Sequence, residues 1–258
     1  YTKEFFDKPY DHPNSFAKTY GLHREYLELN FRQYKELQRY AKKLDIIFFA
    51  TPFDFESVDF LEKLQVPCYK IASGDLTNKN IIKINKKLII LHCTASYPAR
   101  IEDMNLNIIS EIKKKFKNIP IGLSDHENGI DAASVAYMLG ARTFEKHFTL
   151  NRAMKGTDNQ FSLEPIGLSK LIRNLQRIPK LLGNKNKKFL NAEKSPINKM
   201  AKSIVASRNI KKNSILKLAD LAFKSPGDGL RAYEYEYFLN KKLLVNLKKD
   251  QKLKKNFV

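Results

Sequence analysis

Hydrophobic residues follow two patterns that alternate along residues 31–183. Residues 31–44 place apolar side chains at 31, 34, 37, 40, 41 and 44, which is the spacing of one helix face. The unbroken apolar run at 46–51 (IIFFAT) is typical of a buried strand. The same alternation predicts further strands at 68–73, 88–94, 119–124 and 142–148 and further helices at 55–64, 77–87, 105–116, 129–140 and 166–183.

Regular alternation of strand and helix predicts a parallel sheet, so the fold class is α/β. The pattern contains five strands, whereas a closed barrel of eight strands and eight helices needs about 250 residues. Two architectures therefore stay open, an open sheet and an incomplete barrel. Residues 1–30 are rich in Pro, Tyr, His and Asn, and this composition predicts a long loop.

The alternation stops near residue 183, where the character of the chain changes. Residues 184–197 are polar and rich in lysine, which predicts a linker. Residues 198–258 contain short strand-like runs and turn sequences such as KSPGDG, a pattern typical of a small β-rich domain. We therefore predict a larger domain at 1–183, a linker at 184–197 and a second domain at 198–258.

The net charge of +20 on 258 residues is unevenly distributed. Residues 184–258 carry 19 Lys and Arg against six Asp and Glu, a balance found in proteins that bind nucleic acid or another polyanion. No zinc finger, RNP-type aromatic motif or Arg-rich block accompanies it, so we interpret this charge as a lysine-rich surface and expect no nucleic-acid partner. It would still attract small anionic substrates.

The apolar runs, the start of the chain and the two cysteines predict where the protein is located and whether it contacts a membrane. The apolar runs are too short to span a bilayer and the chain opens without a signal-peptide pattern, so we expect a cytoplasmic protein without membrane contact. Cys68 and Cys93 lie in strand-like runs and form no CxxC motif. This predicts two buried thiols in a reducing cytosol rather than zinc ligands.

Chemically active side chains occur just after each predicted strand, where parallel α/β folds carry their active sites. His126 and His147 follow adjacent strands and could face one divalent metal ion, although two hydrogen-bonded histidines would show the same spacing. Lys70 and Ser73 offer an ammonium and a hydroxyl to a phosphate. Asp75 beside them could transfer a proton or cap the following helix.

Several sequence strings together resemble the sialic acid synthase family in order and spacing over residues 18–183. They are KTYGLHREYLEL (18–29), FFATPFD (48–54), VPCYKIASGDLTN (66–78), LHCTASYP (91–98), EDMNL (102–106), IPIGLSDHENGI (119–130), FEKHFTL (144–150) and KGTDNQFSLEP (155–165). The later strings SIVASRNIKKNSIL and KSPGDG resemble the antifreeze-like (SAF) domain that ends these enzymes.

The resemblance implies a (β/α)8 TIM-type barrel followed by a small β-rich SAF domain. It implies condensation of phosphoenolpyruvate with an N-acetylated aldose, such as N-acetylmannosamine or its 6-phosphate, to give a nonulosonic acid and phosphate. The expected cofactor is a divalent metal ion, Mn²⁺ or Mg²⁺. The expected assembly is a domain-swapped homodimer in which the SAF domain reaches the partner's site.

The resemblance also implies four groups of site residues, each named by its role. His126 and His147 would hold the metal; Thr51, Lys70, Ser73 and Ser124 would bind phosphoenolpyruvate; Asp75 and Glu145 would be catalytic, Glu145 by orienting a ligand or water; and Tyr97 and Asp158 would contact the sugar.

Three departures from the family pattern affect this expectation. The family's first barrel strands have no counterpart, and one internal βα unit is absent where Lys87 runs straight into Leu88. We therefore expect the barrel to be incomplete. Ser225 stands where the SAF domain usually has an Arg, which leaves Arg231 as a candidate replacement. Two alternatives stay open: a truncated, non-catalytic remnant of the family, and a polyanion-binding protein that uses the basic C-terminal domain.

Overall fold

The computed structural model describes residues 1–76 and 87–258. The chain divides into two compact units, residues 1–183 and residues 184–258. The helix predicted at 77–87 lies outside the described residues except for its last position. None of the described helices is both long enough and apolar enough to cross a membrane.

The first unit contains helices where the sequence spacing predicts them, and two further helices near its start. They are α1 (Lys3–Phe6), α2 (Tyr20–Leu27), α3 (Phe31–Lys43), α4 (Phe55–Lys63), α5 (Ile108–Lys115), α6 (Asp131–Leu139) and α7 (Pro165–Leu182). Helices α3 to α7 confirm the five predictions that lie in the described residues. Gly140 ends α6 in the left-handed region at φ 111°, a conformation that favours glycine.

The prediction of a continuous loop over residues 1–30 was wrong, because α1 and α2 form there. The side chain of Thr19 accepts a hydrogen bond from the Leu22 N–H and so satisfies a free donor at the start of α2. Gly21 allows Phe6 to lie against the same helix, since a Cβ at this position would stand 2.1 Å from the Phe6 ring. Local capping and close packing thus order a segment whose composition is that of a loop.

A parallel sheet of three strands forms the centre of the first unit. The strands are β1 (Ile90–Cys93), β2 (Ile121–Asp125) and β3 (Thr143–Lys146), and β2 lies between the other two. Leu123 of β2, Ile109 of α5 and Ala136 of α6 are fully buried in one hydrophobic cluster. The helices therefore cover the sheet, as the alternating sequence pattern predicts.

The two earlier predicted strands, at 46–51 and 68–73, are not strands in the structure, so the prediction of five strands was wrong. One backbone hydrogen bond, from Lys70 N–H to Ala50 O (3.3 Å), joins these segments. A strand needs a continuous ladder of such bonds with its neighbours. The apolar side chains of Ile46 and Ile47 are consequently exposed. Cys68 is exposed as well, contrary to the expectation that both thiols are buried.

The second unit combines a short helix with a small antiparallel sheet. Helix α8 (Lys194–Met200) begins inside the segment predicted as a linker, and strands β4 (Ser203–Ala206) and β5 (Leu221–Lys224) pair in antiparallel fashion. Large apolar side chains with at most 1% exposure form its core. They are Ile204, Leu216, Phe238, Leu243 and Leu253. This unit is the small β-rich structure that its sequence pattern indicates.

Candidate active site

The carboxyl ends of β2 and β3 bring the candidate residues to one edge of the sheet. Ser124 lies opposite Glu145 in the register of the two strands, one residue before the strand ends. Successive side chains on a strand point to opposite faces, so positions two residues apart share a face. His126 and His147 therefore continue the face of Ser124 and Glu145, and their ring centroids lie 5.3 Å apart.

Glu145 forms the centre of a polar cluster with Lys70 and Ser124. Its Oε1 atom accepts hydrogen bonds from Lys70 Nζ (2.8 Å) and from Ser124 Oγ (2.7 Å). Burial tends to raise the pKa of Glu145, but these two hydrogen bonds and the positive charge of Lys70 together lower the pKa below its usual value. The carboxylate is therefore ionised at neutral pH, and Lys70 retains two further N–H donors for another anion.

The histidine pair is held by hydrogen bonding at one ring and an acidic neighbour at the other. Nδ1 of His126 lies 2.9 Å from the carbonyl oxygen of Thr94, which only accepts, so Nδ1 donates this hydrogen bond and Nε2 is the nitrogen that a neutral ring can offer to a metal ion. Nδ1 of His147 lies 3.6 Å from Asp158 Oδ2. The pKa of His147 is lowered, mainly because the ring is buried, although the negative charge of Asp158 acts in the opposite direction. The ring of Tyr97 packs 4.3 Å from that of His126, centroid to centroid.

The donor chemistry of this pair fits a divalent cation. With metal–imidazole bonds of about 2.1 Å, two rings that share one ion have centroids about 5 Å apart. The hydrogen bond from His126 to Thr94 is the kind of outer contact that orients a ligating imidazole. Within residues 1–76 and 87–258, no group of three or more His, Cys, Asp or Glu side chains converges as a metal cage.

The structure does not bring all predicted residues into this cluster. Thr51 follows Ala50, whose carbonyl accepts the Lys70 N–H, so Thr51 lies beside Lys70 along the backbone. Ser73 and Asp75 form a single 3-10 turn. In the described part of the chain, no side-chain hydrogen bond joins Thr51, Ser73 or Asp75 to another residue.

Sequence reasoning assigned no role to Asp125 and Lys146, although the structure pairs them. Lys146 Nζ lies 2.8 Å from Asp125 Oδ2, and their side chains are 6% and 3% exposed. The sequence signal was available: Ser-Asp-His and Glu-Lys-His end adjacent strands and carry opposite charges at matching positions. That match becomes informative only once the strand register is known.

In the second unit, Arg231 folds back onto the turn that contains Ser225. Its Nη1 atom donates to the carbonyl oxygen of Gly227 (2.8 Å), and its backbone N–H donates to Glu234 (2.9 Å). Arg231 thus lies at the Pro-Gly turn without taking the sequence position of Ser225.

Comparison with known proteins finds related sequences over nearly the whole chain. A model of the NeuB family matches residues 1–87 and 83–187, and a model of the SAF domain matches residues 201–258. N-acetylneuraminate-9-phosphate synthase of Homo sapiens is 35% identical over 289 aligned residues, which cover 100% of this chain and 80% of the human protein. N,N'-diacetyllegionaminic acid synthase of Campylobacter jejuni is 39% identical over 258 residues, 87% of this chain and 77% of that protein.

A solved structure extends the similarity to the fold. The N-acetylneuraminic acid (sialic acid) synthetase of Leptospira borgpetersenii matches with a TM-score of 0.57 and 32% identity, covering 66% of this chain and 70% of that one. The α/β fold of the first unit and the SAF domain of the second are thereby established. The chain belongs to the NeuB family, the family of sialic acid synthases that its sequence motifs resemble.

Proposed function

We propose that this chain condenses phosphoenolpyruvate with an N-acetylated aldose to form a nonulosonic acid and inorganic phosphate. One observation supports this proposal most directly. The cluster of Lys70, Ser124 and Glu145 and the pair of His126 and His147 lie on the same face, at the same strand ends. An anion-binding group thus stands beside a candidate metal pair, as a reaction between a phosphorylated acid and an aldehyde requires.

Phosphoenolpyruvate would bind through its phosphate. Lys70 and Ser124 supply an ammonium and a hydroxyl, and Thr51 and Ser73 lie in the neighbouring segments. Lys70 can hold Glu145 and a phosphate oxygen together because an ammonium has three donors. Glu145 in turn keeps Lys70 and Ser124 in place before the substrate arrives, so little reorganisation is needed on binding.

The aldose would lie on the side of the histidines. Tyr97 packs against both imidazole rings, and Asp158 faces His147. These contacts support our assignment of Tyr97 and Asp158 to the sugar. His126 and His147 would hold Mn²⁺ or Mg²⁺. Lewis-acid polarisation of the sugar aldehyde is the chemistry that such an ion supplies when bound.

The proposed reaction needs the chain to handle two protons. C3 of phosphoenolpyruvate forms a bond to the aldehyde carbon with the electron pair of its double bond, and the aldehyde oxygen takes up a proton. Water then adds at C2 and loses one proton. As phosphate departs with the electron pair of its bond to C2, the new C2 hydroxyl becomes the carbonyl and its remaining proton passes to the departing phosphate. We assign the proton transfers to the carboxylate of Asp75, while Glu145 orients a ligand or water.

We further propose that the barrel of this chain lacks one internal βα unit. Two observations support it. The family model matches in two pieces that overlap at residues 83–87, and the alignment with the human relative has 289 positions against the 258 residues of the chain. The segments at 46–51 and 68–73, which do not form strands in the structure, would lie next to the position of the missing βα unit.

The family resemblance also supports a homodimer with an exchanged SAF domain, in which Arg231 could take the place of the Arg expected at Ser225. Measurement of the molar mass in solution tests this assembly, since a monomer would contradict it.

An activity assay tests the proposed function. Purified protein is incubated with phosphoenolpyruvate, N-acetylmannosamine and Mn²⁺, and phosphate release and nonulosonic acid are both measured. Parallel reactions contain the 6-phosphate of the sugar or other N-acetylated aldoses. Lack of product with all of these sugars, from a folded protein, would leave the non-catalytic remnant as the better interpretation.

A further inference from the structure

We infer that the buried ion pair of Asp125 and Lys146 is a positioning pair that sets the spacing and orientation of His126 and His147. The two pair members immediately precede the two histidines in sequence. They occupy matching positions in the register of β2 and β3. The effect of the pair on metal binding rests on the proposed function. Its effect on the positions of the two imidazole rings does not require a metal ion.

The hydrogen bonds of the pair hold the residues on both sides of His126. The ammonium of Lys146 donates to Asp125 Oδ2 and also to the backbone carbonyl of Glu127. The backbone N–H of Glu127 donates to Asp125 Oδ1 (2.9 Å). Lys146 therefore holds the residues before and after His126, while its own backbone leads directly into His147. A change in the position of this ammonium would be transmitted to both imidazoles.

The alternation of side chains places the pair away from the reacting groups. Asp125 and Lys146 point to the face opposite Ser124 and Glu145, because each is one residue further along its strand. The pair is thus excluded from direct contact with a substrate bound at Lys70. Its influence on the reaction must pass through the histidines that follow it.

Stability alone is a weak explanation for such a pair. The desolvation of two buried charges offsets much of their attraction, and well-packed apolar residues often replace buried ion pairs without loss of stability. An ion pair nevertheless has a defined direction and length that apolar packing lacks. We therefore assign this pair to the alignment of two strand ends whose next residues must face one another.

The test replaces the pair by a neutral pair of similar size, Asp125→Asn with Lys146→Met, so that no unpaired charge stays buried. The geometric readout is the ring N–H proton of His126, which is protected from exchange while it donates to Thr94 O. NMR spectra assign this signal by its loss in His126→Gln. We expect exchange of this proton with water to become at least about 10-fold faster in the neutral pair.

Two controls separate positioning from general destabilisation. Ile109→Ala removes a fully buried side chain from the core of the same unit and leaves the pair intact. In that variant, the His126 ring proton should keep its protection. His23 in α2 is an internal control, because its ring signals should be the same in wild type and in the neutral pair. Unchanged protection of the His126 proton in the neutral pair would overturn the inference.

A Mn²⁺ titration gives the functional consequence. Wild type and Ile109→Ala should bind Mn²⁺ with similar affinity, whereas the neutral pair should bind it about 10- to 100-fold more weakly, as for other outer contacts of metal ligands. Equal affinity in the neutral pair and wild type would also overturn the inference. A wild type that binds no Mn²⁺ would contradict the metal assignment, while the ring proton still decides the positioning role.

Discussion

Lys70 Nζ lies 2.8 Å from Oε1 of Glu145, although the two residues are 75 positions apart in sequence. The same oxygen accepts the hydroxyl of Ser124. One carboxylate therefore organises both groups that we propose to bind the phosphate of the substrate. Four predictions follow from this site and from a comparable acidic centre in the second unit.

Glu145→Gln should separate catalysis from substrate binding. The amide keeps an acceptor oxygen for Lys70 and Ser124 but removes the negative charge with which Glu145 orients the reacting groups. We expect kcat to fall about 100-fold or more, while KM for phosphoenolpyruvate stays equal or decreases because the anion no longer meets a carboxylate. Steady-state kinetics measure both constants. A raised KM with unchanged kcat would show that Glu145 acts only in binding.

Lys70→Met should weaken binding of phosphoenolpyruvate. The substitution keeps most of the side-chain volume and removes the ammonium that faces Glu145. We expect KM for phosphoenolpyruvate to rise at least about 10-fold, in line with the loss of a charged hydrogen bond of about 1.5–3 kcal/mol. Lys114→Met is the matched control, because Lys114 forms an exposed ion pair with Glu111 on α5 and its loss should leave KM unchanged.

His147→Gln should abolish the stabilisation of the protein by Mn²⁺. If wild type binds Mn²⁺ as we propose, a free concentration 100 times the Kd should raise its free energy of unfolding by about 2.7 kcal/mol. Thermal unfolding with and without Mn²⁺ measures this gain, and the variant should show none. His12→Gln alters an exposed histidine of the same unit and should behave as wild type. Full Mn²⁺ stabilisation in His147→Gln would rule out this residue as a ligand.

Asp220 should make the second unit sensitive to acid. Burial tends to raise its pKa, but hydrogen bonds from the Lys217 N–H and the Arg208 guanidinium prevail, so the pKa lies below the usual value. A lowered pKa in the folded state contributes stability above the unfolded pKa of about 3.9, and this stability is lost as the pH falls through the folded pKa.

The substitution Asp220→Asn tests this dependence in the whole chain. We expect the free energy of unfolding at pH 7 to fall by about 1–3 kcal/mol, and the difference from wild type to shrink below pH 4. Denaturant unfolding across this pH range measures both effects. Asp250→Asn is the control, since Asp250 pairs with Lys224 at the exposed surface, where solvent screens the pair, and its loss should leave the free energy of unfolding nearly unchanged. A constant difference at all pH values would contradict the role of the Asp220 charge.

Local sequence patterns are sufficient to predict the α/β class, the helices from α3 to α7 and the position of the candidate site at the strand ends. These features depend on local periodicity and on the general geometry of parallel sheets, both of which are written in consecutive residues. The motifs also determined the family. Residues 1–30 show the limit of composition, because capping by Thr19 and the packing of Phe6 against Gly21 order a segment whose composition is typical of a loop.

Which of these residues meet depends on contacts between distant segments of the folded chain. The contact of Lys70 with Glu145 and the buried pair of Asp125 with Lys146 depend on strand register, which a one-residue shift would abolish. The run at 46–51 is as apolar as a strand, yet it forms none, because a strand exists only through hydrogen bonds to a neighbour. Contacts between distant segments are absent from any local pattern, and here they set both the extent of the sheet and the chemistry at its edge.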